Sequence, residues 1–244
     1  VVWKLNQGNS YIRFVDNKVY FSDLESKQEI IKNGLGEGIR TTYTYQNNTF
    51  STYVWKETST NAIYFELNPI SFDLDFEAIY WPCAFEFNEC REDWITLVNQ
   101  MQGIMVPNTF ENEFTKLNFN GQFCSNAAYM PWFGQIKENE GYVFISDTPW
   151  DMAYQIDHPA NGPYTHISMR HLPSLGKLSY KRKMKLIFEH DSTIVSLCKL
   201  YRKDASEKGK YSTLKEKSER NKNVDKLIGS AFLHKGIKTH IVKD

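Results

Sequence analysis

The sequence predicts a mainly β protein, in which a large antiparallel β-sandwich is followed by a short helical connector. Two observations carry this prediction. Up to residue 190 the chain consists of short runs rich in β-branched and aromatic residues, separated by turn-type residues, with no segment of helical period between them. From Thr193 the apolar residues recur instead at helical spacing. Strands without intervening helices favour an antiparallel sandwich over βαβ units.

Two hairpins open the series of predicted strands. Residues 11–15 and 18–21 flank the turn residues Asp16-Asn17, and residues 39–45 and 50–55 flank a polar turn at 46–49. Further strands are predicted at residues 63–67, 72–76, 94–98, 103–106, 142–146 and 180–188. This number exceeds that of an immunoglobulin-size sandwich, so we expect two large sheets.

The last part of the chain reads as helix. Asp191-Ser192 can cap a first helix that Gly209 ends, and Thr213 with Glu216 forms a capping-box pattern that opens a second. We therefore expect a sandwich domain over residues 1–190 and a connector over residues 191–244. Residues 236–242 resemble a buried strand, and a strand needs partners for its backbone groups. This favours the front part of a larger protein.

The net charge of zero conceals a split between two regions. Residues 1–176 hold 11 basic and 21 acidic residues, a net charge of −10, whereas residues 177–244 hold 18 and 8, a net charge of +10. No stacking aromatics accompany the basic residues, so we expect solvated helix faces and docking onto the acidic region, and no nucleic-acid partner. No apolar run approaches the about 18 residues of a membrane span. We therefore expect no membrane partner either.

The sequence contains no recognisable cofactor or metal motif. It lacks a phosphate-binding glycine loop and a nucleophile elbow. The cysteines and histidines do not follow zinc-ligand spacing, so we predict no metal and no cofactor in this chain. Asp73, Asp75 and Glu77 would share one face of a strand, which we interpret as a solvent face rather than a cation site.

One loop has residue types that suit sugar binding. Residues 147–163 are rich in Pro and Gly, and include Trp150, Asp151 and His158. A tryptophan ring offers an apolar face to a pyranose, and polar groups orient its hydroxyls. The alternative is a structured loop whose Trp150 closes the end of the sandwich.

Several segments together resemble a family of large bacterial glycoside hydrolases, those related to endo-α-N-acetylgalactosaminidases. The segments are Trp81-Pro82 and residues 102–107 (QGIMVP), 130–134 (MPWFG), 141–145 (GYVFI), 148–153 (TPWDMA), 173–182 (PSLGKLSYKR), 201–209 (YRKDASEKG) and 213–217 (TLKEK). Their order and spacing, over roughly residues 35–230, carry the resemblance.

The resemblance implies a galactose-mutarotase-like β-supersandwich and a connector that leads into a (β/α)8 barrel. The catalytic carboxylates of such enzymes lie at the barrel, so the implied role of this chain is that of a non-catalytic module that packs on the barrel and shapes one rim of the sugar site. For sugar contact we predict Trp132, Trp150, Asp151 and His158. A carbohydrate-binding domain that acts alone, an aldose-epimerase-like enzyme and a structural domain without a ligand stay open as alternatives.

Overall fold

The computed structural model describes residues 3–5, 10–83, 85–86, 95–100, 103–107, 117–125, 128–158 and 166–231, with the backbone alone for residues 85–86, 117–119, 157–158 and 166. The chain divides into two compact units, residues 1–201 and residues 202–244.

The first unit is built from short strands. In chain order they are β1 (Lys4–Leu5), β2 (Tyr11–Arg13), β3 (Lys18–Tyr20), β4 (Glu25–Lys32), β5 (Gly36–Tyr45), β6 (Asn48–Glu57), β7 (Ala62–Ser71), β8 (Ala78–Tyr80), β9 (Phe85–Glu86), β10 (Ile95–Val98), β11 (Ile104–Pro107), β12 (Leu117–Gln122), β13 (Trp132–Lys137), β14 (Glu140–Ser146), β15 (Met152–His158), β16 (His166–His171) and β17 (Arg182–His190).

Two large antiparallel sheets arise from these strands. Nine strands form one sheet in the order β11-β10-β13-β14-β17-β7-β6-β5-β4, and six form the other in the order β12-β15-β16-β8-β2-β3, while β1 pairs with β9. Their inner faces share one apolar core, to which Phe65 and Phe144 of the first sheet and Ile12 and Tyr154 of the second contribute side chains that are at most 1% exposed. The predicted antiparallel sandwich is confirmed.

The predicted strand at residues 72–76 is wrong. The alternation of the sequence does separate buried from exposed side chains, because Phe72 and Phe76 are buried while Asp73 and Asp75 are exposed. The segment pairs with no strand, however, since it carries the chain from β7 in one sheet to β8 in the other. Burial on one side produces period-2 patterning in a crossing segment as well as in a strand.

Several strands lie where the sequence did not predict them, and β4 and β15 are two instructive cases. The β4 strand has the polar sequence ESKQEIIK and forms an edge of the nine-stranded sheet, where one side of its backbone is unpaired and charged side chains are favoured. Residues 152–158, which we predicted to lie in a loop, form β15 and pair with β12 and β16. The loop before β15 is therefore a short turn at residues 147–151.

Helix α1 (Ile194–Glu207) begins where predicted, although its cap differs. The Thr193 hydroxyl, rather than Asp191 or Ser192, accepts a hydrogen bond from the backbone N–H of Ser196 at 3.1 Å. The first two turns of α1 place Leu197 on the outer face of the nine-stranded sheet, in a second apolar cluster.

The second unit contains the end of α1, α2 (Leu214–Arg220) and a 3-10 turn at Lys222–Leu227. The predicted capping box of α2 is present, with Thr213 and Glu216 in reciprocal hydrogen bonds. The predicted strand at residues 236–242 lies outside the described residues. Among the helices that are described, none is long and apolar enough to span a membrane.

Candidate carbohydrate-contact site

A buried arginine organises one end of the sandwich. Arg182 is the first residue of β17, lies opposite Leu67 of β7 and has no exposed surface. Its guanidinium donates to Asp151 Oδ2 and to the Leu172 carbonyl oxygen, both at 3.1 Å, and stacks 3.5 Å from the centroid of the Tyr180 ring. Burial lowers the pKa of Arg182 to about 10, against the opposing effect of Asp151, so the group is still charged at neutral pH. A buried charge of this kind requires its partners.

Asp151 lies on the turn between β14 and β15 and connects that turn to the arginine. Its Oδ2 accepts a second hydrogen bond, from the Tyr180 hydroxyl at 2.8 Å. The backbone of the turn is held as well, because the Asp151 carbonyl accepts from Leu172 N–H at 2.8 Å and the Trp150 carbonyl accepts from Gln122 Nε2 at 3.0 Å. Four hydrogen bonds therefore fix the two residues of this turn to three other segments.

Trp150 presents its side chain to solvent from this fixed turn. The residue is 65% exposed, an unusual state for a tryptophan, while the backbone beneath it is bound on both sides. Asp151 keeps its side chain 24% exposed, and its Oδ1 has no hydrogen-bond partner among the described residues. The turn thus exposes an indole ring one residue before a partly exposed carboxylate, and this combination of groups suits a pyranose ring with its hydroxyls.

The neighbouring loops also expose apolar side chains. The loop before β13 is joined to the end of β14 by a hydrogen bond from Ser146 N–H to the Pro131 carbonyl, and it exposes 59% of Tyr129 and 42% of Met130. Leu175, in the hairpin that precedes β17, is fully exposed. Exposed apolar groups on adjoining loops are typical of an interaction surface.

His171 lies behind the ion pair and is closed to solvent. One ring nitrogen, Nε2, is 2.7 Å from the Trp81 carbonyl oxygen, and the residue has no exposed surface. Burial lowers the pKa of His171 to about 3, helped by the charge of Arg182 and opposed by the Trp81 carbonyl. The ring is therefore neutral and donates from Nε2. Without exposed surface, His171 cannot pass a proton to a sugar. It therefore cannot be the proton-donating histidine that an aldose epimerase requires.

The other two predicted contact residues are placed differently. Trp132 is 6% exposed on the outer face of the nine-stranded sheet, where α1 covers it and Tyr201 stacks on its ring at 5.5 Å. Its geometry is that of a core residue. The backbone of His158 ends β15 opposite Leu117, and its side chain lies outside the described residues. Trp150 and Asp151 are thus the two predicted residues that the structure shows to be adjacent and accessible.

Two residues that the sequence analysis did not select, Tyr180 and Arg182, hold the site together. They follow Asp151 by 29 and 31 residues, so spacing does not connect them. One sequence feature could have identified Arg182: it alternates with apolar residues at the start of a core strand.

Two of the three carboxylates that could have shared a cation are engaged by basic side chains. Asp73 pairs with Lys177, and Glu77 pairs with Arg13 at 2.7 Å. No group of three His, Cys, Asp or Glu side chains suited to a metal ion occurs in the part of the chain that the structure describes. The exposed ion pairs of Asp73 and Glu77 support the interpretation of these carboxylates as surface charges.

Comparison with known proteins shows that the chain is similar to part of an enzyme of known structure. No protein-family model and no curated protein matches the sequence. Among solved structures, the α-N-acetylgalactosaminidase NagBb of Bifidobacterium bifidum matches 99% of the chain with 31% identity and a TM-score of 0.88 in a Gal-NHAc-DNJ complex. In a GalNAc complex of the same enzyme the match covers 96% of the chain with 32% identity and a TM-score of 0.85.

The matched region amounts to 40% and 39% of the length of these enzyme chains. The similarity therefore extends over nearly all of this chain and over less than half of the enzyme. Both the fold and about a third of the residues agree, which exceeds what a common architecture alone requires. The chain is thus similar to part of a bacterial α-N-acetylgalactosaminidase, and the resemblance to glycoside hydrolases of this group that the sequence predicted is confirmed.

Proposed function

We propose that the chain is a non-catalytic module of a glycoside hydrolase, which packs on a (β/α)8 barrel and forms part of the rim of its sugar site. In this proposal residues 1–190 are the sandwich domain, of galactose-mutarotase-like type, and residues 191–244 connect it to the barrel. Support comes from the similarity to an enzyme that is more than twice as long and whose structures include a GalNAc complex.

The observation that carries the proposal is the exposed Trp150 on a turn fixed by the Asp151–Arg182 pair. An aromatic ring that is held in place before a ligand arrives loses little conformational entropy on binding. Asp151 Oδ1 has no hydrogen-bond partner among the described residues and can accept from a sugar hydroxyl, whereas Oδ2 is engaged by Tyr180 and Arg182. We therefore assign sugar contact to Trp150 and Asp151, with His158 as a further candidate on the strand that follows.

The surroundings of Asp151 and His171 support the non-catalytic assignment. Hydrolysis of a glycoside requires a carboxylic acid that donates a proton and a second carboxylate that acts as nucleophile or base. Asp151 is held as a structural partner of a buried arginine, and His171 is sealed from solvent. Neither is suited to proton transfer with a substrate.

The test uses the complete product of the gene that encodes this chain, with an aryl α-N-acetylgalactosaminide as substrate. We expect Trp150→Ala to raise KM roughly tenfold while kcat changes little, since an aromatic contact at a rim binds substrate and transition state alike. Tyr211→Ala removes another partly exposed aromatic, in the second unit, and serves as the control with unchanged kinetics. Wild-type KM in the Trp150 variant would contradict the sugar-contact role.

The isolated 244-residue chain separates this function from the alternatives. We expect no hydrolysis of the aryl glycoside by the chain alone. Saturable binding of GalNAc by the chain in calorimetry would instead favour a carbohydrate-binding domain that acts by itself. Faster mutarotation of galactose in a polarimeter would favour an epimerase.

A further inference from the structure

One end of the sandwich exposes apolar side chains from several of its loops. It is the end at which β7 and β14 finish and β13 and β17 begin in the larger sheet, and at which β2 finishes and β15 begins in the smaller one. Large apolar side chains are exposed there besides Trp150, and they define what we call the apolar end: Val15, Ile70, Tyr129, Met130 and Leu175. Val15 and Ile70 are 81% and 60% exposed.

The loops of the apolar end form one continuous surface. Hydrogen bonds and an ion pair join each loop to the next: Ser146 to Pro131, Leu172 to Asp151, Lys177 to Asp73 and Glu77 to Arg13. These contacts connect, in this order, the loop before β13, the turn that bears Trp150, the hairpin that bears Leu175, the segment after β7 and the turn that bears Val15. The exposed side chains therefore stand on neighbouring segments.

The opposite end of the sandwich has polar turns. The turns described there have the sequences NGL at 33–35, TSTN at 58–61, EN at 138–139 and DST at 191–193. Leu35 is the one large apolar residue in these four turns. Contact with water alone gives no reason for the two ends to differ, so the difference indicates that the apolar end contacts a partner.

The turn that bears Leu175 shows the same preference at a single position. Ser174 and Lys177 face each other across two residues, Leu175 and Gly176, whose φ angles are 52° and 86°. Such a turn favours Asn-Gly, because a leucine in the left-handed region is strained. A leucine that is both strained and fully exposed does not stabilise the fold of this chain. We therefore interpret its side chain as part of a contact surface.

Helix α1 leads the chain to the apolar end. Ser192, which precedes the helix, donates its backbone N–H to the Asn139 carbonyl in a turn of the opposite end at 2.7 Å. Tyr201, two turns into the helix, stacks on Trp132, the first residue of β13. The helix therefore runs along the sheet from the polar end to the apolar end, which it reaches at the last residue of the first unit.

The direction of α1 selects the partner. The similar NagBb chains are more than twice as long as this one, which leaves room for a further domain after the connector. A domain joined by a connector has an effective concentration of roughly millimolar at its docking site, far above that of a separate protein. The helix brings the start of that connector to the apolar end.

We infer that the apolar end is the surface on which the domain that follows the connector docks. Val15, Ile70 and Leu175 are buried in this contact, and Trp150 lies at its edge. The inference rests on the proposed function for the existence of that domain. Ligand sites are common where two domains meet, which accounts for an exposed tryptophan at the same end.

The test measures how fast N-ethylmaleimide labels a cysteine placed at the apolar end. Val15→Cys and Leu175→Cys are made in the 244-residue chain and in the complete product of its gene, and mass spectrometry of the digested protein reads each site separately from the native cysteines. We expect labelling to be about a hundredfold slower in the complete product, because the contact must open first. Leu35→Cys, at the polar end, is the control and should label equally fast in both proteins.

A second substitution tests whether the apolar side chain itself makes the contact. Leu175→Asn suits the left-handed turn, so it should leave the fold of the 244-residue chain intact. Added to Val15→Cys in the complete product, it should speed the labelling of residue 15 about tenfold, since the buried leucine is lost from the contact. Leu35→Asn is the matched control and should leave that rate unchanged.

Two results would overturn the inference. One is labelling of Val15→Cys and Leu175→Cys at the same rate in both proteins. The other is protection within the 244-residue chain that rises with its concentration, which would assign the surface to a second copy. Labelling needs no substrate, so a complete product without glycosidase activity would refute the proposed function and not this docking surface. Equal labelling together with a raised KM in Trp150→Ala would refute the docking surface alone.

Discussion

Arg182 and Asp151 form an ion pair, with Nη1 and Oδ2 3.1 Å apart, although 31 residues separate them in the chain. The arginine starts a core strand and the aspartate lies on a surface turn, so the pair joins the interior of the sandwich to the loop that exposes Trp150. Breaking a buried pair is costly because the remaining charge loses its partner.

We expect Asp151→Ala to lower the free energy of unfolding by about 3 kcal/mol, the lower end of the range for such pairs, because Asp151 is partly exposed. Urea unfolding measures this. The double variant Asp151→Ala with Arg182→Met should recover most of the loss, since it removes the stranded charge. A single variant as stable as the wild type would show that the pair does not hold the turn.

The burial of His171 predicts a dependence of stability on pH. Its pKa is about 3 in the folded state, whereas the ordinary value is 6.5. Between these values the unfolded chain binds the extra proton, so the stability that neutral His171 contributes is complete above pH 6.5 and is lost as the pH falls toward 3. The slope approaches about 1.4 kcal/mol per pH unit.

The measurement compares urea unfolding at pH 7 and pH 5 in the wild type and in His171→Gln. The wild type should lose more stability on acidification than the variant does. Equal pH dependence in the wild type and in His171→Gln would contradict the burial of a neutral imidazole.

The sequence predicted the sandwich because alternation and turn residues are local signals. Predictions from these signals were wrong where the position of a segment in the sheets, and not its local sequence, determines which side chains are buried. The β4 strand has polar side chains because it is an edge, and Phe72 alternates with its neighbours because its segment crosses the core without pairing. Trp150 and Asp151 were predictable as an aromatic and an acid in one turn. Arg182 was not, because only the pairing of strands brings it to Asp151.

The packing of α1 on the sheet predicts that Gly134 cannot be replaced without cost. A Cβ at Gly134 would lie 2.9 Å from the Tyr142 carbonyl oxygen and 3.1 Å from Leu197 Cδ1. We expect Gly134→Ala to lower the free energy of unfolding by about 1–3 kcal/mol, as overpacking of a core does. Gly34→Ala is the matched control, since no atom lies within 4 Å of its Cβ position. Equal stability of the two variants would contradict the close contacts of Gly134 with β14 and α1.

The two tryptophans that we first predicted to contact sugar should respond in opposite ways to substitution. Trp132 is 6% exposed beneath α1, so Trp132→Ala should cost about 3–5 kcal/mol of stability. Trp150 is 65% exposed, so Trp150→Ala should change stability by less than about 0.5 kcal/mol. Urea unfolding of both variants checks the difference. A large loss in the Trp150 variant would favour the alternative in which its ring closes the end of the sandwich, because a ring that is kept for a ligand contributes to binding and not to folding.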